Sequence, residues 1–313
     1  MMIFKFDLFV LGQWISFWLS SFLLGLSVAE LSLEERVGQI LLVQFYGREA
    51  NEEAKCLIQD LHVGGIIYYN WANELSSSKQ VQELSQGLQL LAQETPHAIP
   101  LLIAIDQEGG RINRLKQDFT VFPGNYALGQ TGEWQWGEES AWMIGQELKA
   151  VGISLNLAPV IDVYTHPANP VIGIRAFSSD PVAVARWGSY VMRGYKRAGI
   201  VAALKHFPGH GDVQVDSHEA LPIVTKKREG LEQVELYPFR FLAPQVDAVM
   251  TAHLLVPELD AEQCVTFSKK IVSDLLRQDL GFQGMIITDS LAMEGVLSQY
   301  YGMITIFSSF CGN

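Results

Sequence analysis

The chain has 313 residues, of which 49% are hydrophobic and 18% charged, so it is long and apolar enough to bury a substantial core. Its formal net charge of -12 and the absence of any Lys/Arg run argue against a nucleic-acid-binding protein, because such proteins collect phosphates on a basic face. Cys56, Cys264 and Cys311 are widely spaced and include no C-x-x-C pair. We therefore expect isolated thiols, and neither a zinc knuckle nor a disulfide framework.

The first 29 residues differ from the rest of the chain. The stretch Leu8–Val28 carries no charge and is long enough to span a bilayer, and Ser27-Val28-Ala29 supplies the small residues that a signal peptidase requires. We interpret residues 1–29 as a signal peptide or an N-terminal membrane anchor, with a misplaced gene start as a third possibility, and leave them out of the predicted fold. A signal or anchor predicts a periplasmic, extracellular or membrane-anchored protein, with membrane association only through residues 8–28. Without one, the protein is cytoplasmic.

From Leu31 onward, short apolar runs alternate with longer stretches of helical periodicity, a pattern typical of repeated βα units. Strands are predicted at Gln39–Phe45, Gly64–Tyr69, Leu101–Ile105, Ile153–Val163, Ile200–His206, Ala248–His253 and Met285–Thr288. Helices are predicted at Glu52–His62, Leu75–Gln93, Trp134–Ala150, Pro181–Ala198 and Lys269–Leu280. Strands that are apolar on both faces must be covered on both sides, which predicts a parallel sheet. No linker divides residues 30–313, so we expect one α/β domain.

Titratable side chains stand at the ends of five predicted strands, namely Asp106, Asp162, the pair Lys205 and His206, His253, and Asp289. In a closed barrel, the carboxyl ends of the strands form one rim, where catalytic residues lie. A doubly wound sheet would instead concentrate its site at a single switch point. The spread of polar strand ends therefore favours a (β/α)8 barrel of the TIM type.

The densest group of reactive side chains is KHFPGHGD at 205–212, which continues to DSH at 216–218. Asp216 is close enough in sequence to orient the imidazole of His218, and such a pair on a glycine-rich loop is suited to general acid–base catalysis near neutral pH. A metal site built from the His and Asp residues of this loop is the alternative. However, no H-E-x-x-H spacing occurs and Lys205 would repel a cation, so we expect no metal.

Several residues around the predicted rim are suited to binding a sugar. Asp106 can hydrogen-bond two neighbouring hydroxyls, Arg114 can support it, and Arg175 can bind an acyl oxygen or a hydroxyl. Four tryptophans have flat faces on which sugars can stack, although we expect most of them to be packing residues: Trp71, Trp134, Trp136 and Trp142.

Two carboxylates are candidates for catalysis itself. Asp289 follows the strand Met285–Thr288, and a carboxylate held rigidly by a sheet suits in-line attack on an anomeric carbon. An Asp that caps the following helix is the alternative. Glu108 is an alternative catalytic acid, unless it pairs with Arg111 and stabilises the intervening glycine turn.

Together these segments resemble glycoside hydrolase family 3, and within it the bacterial β-N-acetylglucosaminidases of cell-wall recycling. The resemblance covers about Leu31 to Gly295. It rests on the motifs IDQEGGRINRL, NLAPVIDV, IGIRAFSSDP, KHFPGHGDVQVDSH, VMTAHLLVP and LGFQGMIITDSLAMEGV. The combination of KHFPGHG with DSH is much narrower than the fold, because in the β-glucosidases of the family the acid/base comes from a second domain.

The resemblance implies Asp289 as nucleophile and His218 as acid/base, oriented by Asp216. It implies sugar contacts from Asp106, Arg114, Arg175, Lys205 and His206. The implied reaction is retaining hydrolysis of a terminal β-linked N-acetylglucosamine from muropeptide or chitin-like fragments, as in peptidoglycan recycling, with a carbohydrate partner and no cofactor. A β-glucosidase and an N-acetylglucosamine phosphorylase of the same family remain alternatives.

The chain departs from the family pattern at its carboxyl end. Family barrels continue past the nucleophile through a helix, an eighth strand and a closing helix, whereas only 24 residues follow Asp289. Met303–Phe307 is a candidate for a makeshift strand. We therefore expect a barrel that lacks its normal eighth strand and last helix, and a catalytically inactive remnant that only binds sugar is the second functional hypothesis.

Overall fold

The computed structural model describes residues 2–5, 27–217 and 220–297 of the chain. Its strands are β1 (Met2–Lys5), β2 (Leu41–Val43), β3 (Gly65–Tyr68), β4 (Leu102–Ile105), β5 (Gln107–Gly109), β6 (Ile112–Asn113), β7 (Leu155–Asn156), β8 (Val201–Phe207), β9 (Ala248–Thr251) and β10 (Met285–Thr288). A barrel closes in the order β1-β10-β9-β8-β7-β4-β3-β2, while β5 and β6 form a separate antiparallel pair. The seven barrel strands other than β1 pair with one another in parallel, which confirms the predicted barrel class.

The eighth position of the barrel is occupied by β1, which pairs antiparallel with both β10 and β2. Residues 1–29 were predicted to lie outside the fold, whereas Met2–Lys5 pairs with two strands of the barrel. The barrel is thus closed by a strand from the amino-terminal end of the chain. The alternative candidate, Met303–Phe307, lies outside the described residues.

The helices surround the barrel. They span Leu33–Gln39, Glu52–Lys55 with a π-helical continuation at Cys56–Asp60, Asn70–Asn73, Ser78–Gln93, Asn125–Thr131, Trp134–Ala150, Pro181–Ala198, Arg228–Gln233, Leu236–Leu242 and, in π-helical form, Lys270–Asp279. All five predicted helices are present. Asp180 caps Pro181–Ala198 by accepting a hydrogen bond from the Val182 N–H at 3.0 Å. Among the described residues, no helix combines the length and apolarity that a membrane span requires.

Strand alternation divides the core into two parts. Side chains such as Ala104, Leu155 and Met250 pack together inside the barrel, whereas Ile103, Ile105 and their equivalents pack against the helices. Both faces of the strands are therefore buried, which explains their continuous apolar sequences.

The predicted strand Ile153–Val163 was too long. β7 ends at Asn156, and the chain beyond it runs over the rim, where only Val160 makes a bridge, to Lys205 of β8. Pro159 lacks an N–H to donate to a neighbouring strand, so the sheet cannot continue through it. The residues after β7 therefore form a loop that carries Asp162 into the site.

Two of the cysteines lie in the described part of the chain. Cys264 is a buried free thiol, as expected. Cys56 is disulfide-bonded, so the prediction of isolated thiols was wrong for this residue.

Candidate active site

The polar strand ends meet at one rim of the barrel. Lys205 in β8 contacts Asp106 beyond β4, and His206 contacts Asp162 beyond β7. Asp289, beyond β10, lies close enough to these groups for Lys205 and His206 to act on its ionisation. The structure thus brings together side chains that are far apart in sequence, as the barrel prediction required.

Lys205 is the centre of a buried ion-pair cluster. Its Nζ lies 2.8 Å from Asp106 Oδ1 and 2.7 Å from Glu108 Oε1, and only 2% of its side chain is exposed. Burial alone would lower the pKa of Lys205, but the two carboxylates outweigh burial and raise it. Lys205 is therefore a cation with a fixed position, able to donate a hydrogen bond at the floor of the site.

Glu108 accepts two hydrogen bonds from Arg175, one from Nη2 at 2.8 Å and one from Nε at 3.0 Å. Burial would raise the pKa of Glu108, but Arg175 and Lys205 outweigh it and hold the pKa well below its ordinary range. A carboxyl that stays ionised cannot donate a proton, so the alternative assignment of Glu108 as the catalytic acid does not fit the structure. Glu108 pairs with Arg175 and Lys205, and not with Arg111 as the alternative interpretation had it.

His206 is oriented by Asp162. Its Nδ1 donates to Asp162 Oδ2 at 2.6 Å, and Oδ1 of the same carboxylate accepts from the backbone N–H groups of His206 and His210. A carboxylate only accepts, so Nδ1 carries the proton and Nε2 faces Arg175, whose Nη2 lies 3.4 Å away. Asp162 thereby positions both a site residue and the beginning of the 205–212 loop.

Asp289 follows β10 directly, and hydrogen bonds fix both its backbone and its carboxylate. Its N–H donates to Thr251 O at 3.1 Å, and its Oδ1 accepts from the Ser290 N–H at 2.7 Å. Burial would raise the pKa of Asp289, but His253, His206, the hydrogen bond from the Ser290 N–H, and Lys205 together hold it below the ordinary value. His253 also donates from Nε2 to Ser290 O at 3.0 Å, so it supports the turn that carries the carboxylate.

His218 lies outside the described residues, so its pairing with Asp216 stays a prediction. The residues before it are placed close to the site, because Ser217 Oγ lies 3.2 Å from His210 Nε2. Ser217 O also accepts a hydrogen bond from the Gly295 N–H at 3.2 Å. The end of the predicted acid/base loop is thus joined to the turn that follows Asp289.

Arg114 contacts one carboxylate oxygen of Asp106, and Lys205 contacts the other. Its Nη2 lies 3.7 Å from Asp106 Oδ2, and its guanidinium lies over the ring of Tyr69 at 5.7 Å from the centroid. Burial raises the pKa of the Tyr69 hydroxyl, and the nearby carboxylates of Asp106 and Asp289 raise it further.

All five predicted sugar-binding residues lie in one continuous group: Asp106, Arg114, Arg175, Lys205 and His206. Sequence reasoning gave no role to Tyr69, and it named Asp162 without assigning it a partner. The signal for Tyr69 was its position at the end of a predicted strand. Within the described residues, no three His, Cys, Asp or Glu side chains are grouped so that they could hold a metal ion.

Residues 32–304 match the family model described as the Glycosyl hydrolase family 3 N terminal domain. The chain is 40% identical over 257 residues to the Beta-hexosaminidase A of Pseudoalteromonas piscicida, covering 77% of this chain and 43% of that protein. It is 36% identical to the Beta-hexosaminidase of Pseudomonas aeruginosa, covering 82% of this chain and 74% of that one. The chain therefore spans less than half of the first relative and about three quarters of the second.

The chain is also similar to solved structures of proteins from this family. A glycoside hydrolase family 3 beta-N-acetylglucosaminidase from Paenibacillus sp. superimposes with a TM-score of 0.84 at 46% identity, over 86% of this chain and 51% of that one. NagZ from Neisseria gonorrhoeae, in complex with N-trifluoroacetyl-D-glucosamine, superimposes with a TM-score of 0.74 at 32% identity, over 80% and 74% of the two chains. The barrel described above is thus the fold of that family domain.

Proposed function

The chain belongs to glycosyl hydrolase family 3, and we propose that it hydrolyses the bond between a terminal β-linked N-acetylglucosamine and the rest of a glycan. The observation that carries this proposal is the position of Asp289. Its pKa is held below the ordinary value, and it is fixed at the end of a barrel strand, on the same rim as the polar side chains suited to sugar hydroxyls. The names of the relatives and the narrow KHFPGHG and DSH motifs support the choice of sugar.

The proposed binding step uses the buried ion-pair cluster as a rigid floor. Asp106 accepts hydrogen bonds from sugar hydroxyls, while Lys205 and Arg114 keep its carboxylate in place. Arg175 is fixed by Glu108, so its remaining N–H groups can bind the substrate without a large loss of side-chain entropy. The terminal sugar is thereby held with its anomeric carbon toward Asp289.

The proposed chemistry proceeds in two displacements. Asp289 attacks the anomeric carbon and forms a glycosyl-enzyme ester, while His218, oriented by Asp216, gives its proton to the departing glycosidic oxygen. His218 then takes a proton from water, whose oxygen breaks the ester and releases the sugar with its original configuration. In this scheme an imidazole replaces one carboxyl of the usual pair of carboxyl groups.

The experiment is hydrolysis of an aryl β-N-acetylglucosaminide by the full chain, compared with the matching aryl β-glucoside. We expect release from the first substrate, and no turnover by Asp289→Asn, which keeps the shape of the side chain but loses the charge. Cleavage of the glucoside alone would assign a β-glucosidase. A rate that depends on phosphate and yields N-acetylglucosamine 1-phosphate would assign a phosphorylase, and no turnover with either substrate would favour the inactive sugar-binding remnant.

We also propose that the natural substrates are wall-derived or chitin-like fragments outside the cytoplasm, because the N-terminal segment resembles an export signal. Cleavage after Ala29 would remove Met2–Lys5, the strand that closes the barrel. A protein that is exported and cleaved after Ala29 therefore cannot have its barrel closed by this strand. Amino-terminal sequencing of the active protein from separated cell fractions distinguishes them, and a soluble cytosolic chain beginning at Met1 would contradict export.

A further inference from the structure

Two exposed aromatic side chains stand side by side next to the site. Tyr46 is 60% exposed and Trp71 is 59% exposed. Their ring centroids lie 5.7 Å apart with an angle of 59° between the planes. Trp71 also stacks on Tyr69, at 5.2 Å and 19°. One face of the indole is thus supported from below, and most of the ring remains open to solvent.

This aromatic pair is continuous with the sugar-binding group. Tyr69, beneath Trp71, carries the guanidinium of Arg114 over its ring, and Arg114 in turn pairs with Asp106. Each link of this chain is shorter than 6 Å. The pair therefore lies at the edge of the site, one ring away from the carboxylate that is proposed to hold the terminal sugar.

The two loops that carry the pair are held together by Asn73, which is fully buried. Its Nδ2 donates to Phe45 O at 3.1 Å and to Gly47 O at 3.0 Å, and its Oδ1 accepts from the Tyr69 N–H at 3.0 Å. Two of these hydrogen bonds join the loop after β2 to the loop after β3, and the third fixes the Asn73 side chain within its own segment. The spacing between Tyr46 and Trp71 is therefore set before any ligand arrives.

The other tryptophans singled out in the sequence are arranged differently. Trp134 packs against Trp187 at 4.8 Å, and Arg197 covers Trp142 at 4.5 Å. Trp136 is 55% exposed but lies on the helix Trp134–Ala150, outside the barrel. Among these four residues, only Trp71 combines exposure, a stacked support and a position at the rim.

We propose that Tyr46 and Trp71 form a binding subsite for the sugar on the leaving-group side of the scissile bond, which is the unit to which the terminal N-acetylglucosamine is linked. This inference rests on the proposed function. A pyranose ring has an apolar face of C–H groups that packs on an aromatic ring, while its hydroxyls remain in water. The polar pocket takes the terminal sugar, so the next ring must leave across the rim, where the aromatic pair lies.

The test compares two substrates with similar alkoxide leaving groups, di-N-acetylchitobiose and methyl β-N-acetylglucosaminide. Trp71→Ala should lower kcat/KM for the disaccharide by about tenfold, the size expected for loss of one stacking contact, and change it for the methyl glycoside by less than about twofold. Trp71→Phe should retain much of the disaccharide activity. Trp136→Ala, an equally large truncation of an exposed tryptophan, should leave the kcat/KM ratio of the two substrates unchanged.

Equal losses of Trp71→Ala on both substrates, or no loss on either, would overturn the subsite. The affinity of Asp289→Asn for the disaccharide and for N-acetylglucosamine, measured by calorimetry with and without Trp71→Ala, tests the same point without turnover. We expect the disaccharide to lose about tenfold in affinity and the monosaccharide to lose little. An inactive wild type would contradict the proposed hydrolysis, while this binding difference would still decide the subsite.

Discussion

Replacing Glu108 by Gln tests the buried ion-pair cluster. In the wild type, Glu108 compensates the charges of both Lys205 and Arg175, while Asp106 is shared between Lys205 and Arg114. Glu108→Gln keeps the size of the side chain and one acceptor oxygen, but it leaves a positive charge without its partner. This charge is buried, because only 2% of the Lys205 side chain and 2% of the Glu108 side chain are exposed. Breaking a buried pair on one side costs about 3 kcal/mol or more, so we expect a fall of that size in the free energy of unfolding.

The measurement is thermal and urea unfolding followed by circular dichroism. A loss of about 3 kcal/mol corresponds to a fall in Tm of roughly 6–12 °C for a domain of this size. The matched control is Glu139→Gln, because Glu139 also accepts two hydrogen bonds from one arginine, Arg197, at 2.9 and 2.7 Å, but on the surface. We expect no measurable change there, since solvent screens an exposed pair.

The pH dependence gives the same prediction a second test. The folded-state pKa of Glu108 is depressed, so its contribution to stability is fully present above its unfolded value, about 4.3, and is lost as the pH falls from there toward the folded pKa. The stability difference between wild type and Glu108→Gln should therefore be constant from pH 7 to 5 and shrink below pH 4. Equal stability of Glu108→Gln and wild type at pH 7 would refute the argument that this cluster holds the floor of the site.

Three further predictions follow from the loop and the barrel closure. In steady-state assays, His218→Ala should slow the hydrolysis of alkyl glycosides by about a hundred- to ten-thousandfold and that of activated aryl glycosides far less. The rate of Asp216→Asn on alkyl glycosides should lie between those of His218→Ala and wild type. Equal effects of His218→Ala on both substrate classes would make His218 a binding residue. Gly211→Ala should abolish activity, because an added Cβ would clash with the carbonyl of Val163, and unchanged kcat/KM would contradict the described loop. Deletion of Met2–Lys5 should lower Tm and cause association in size-exclusion chromatography, since it exposes the edges of β2 and β10; a monomer of unchanged Tm would contradict closure by this strand.

Local signals in the sequence determined several elements of the fold. The helix Pro181–Ala198 was predicted with its observed ends, because Asp180 and Pro181 begin it and Gly199, with φ +75°, ends it. The positions of Asp106, Lys205 and Asp289 at strand ends were likewise visible, since a parallel barrel places all such ends on one rim. Capping, periodicity and strand polarity are short-range properties, and the sequence carries them directly.

Only the tertiary structure decided which side chains are partners. Glu108 binds Arg175, 67 residues away, rather than the nearby Arg111, and Asp162 binds His206, 44 residues away. Nor could the sequence show that Met2–Lys5 closes the barrel beside β10. Which groups pair depends on which of them come within about 3 Å of each other in the buried interior, where an unpaired charge costs several kcal/mol. That distance is set by the packing of the whole barrel, because no local pattern of residues encodes it.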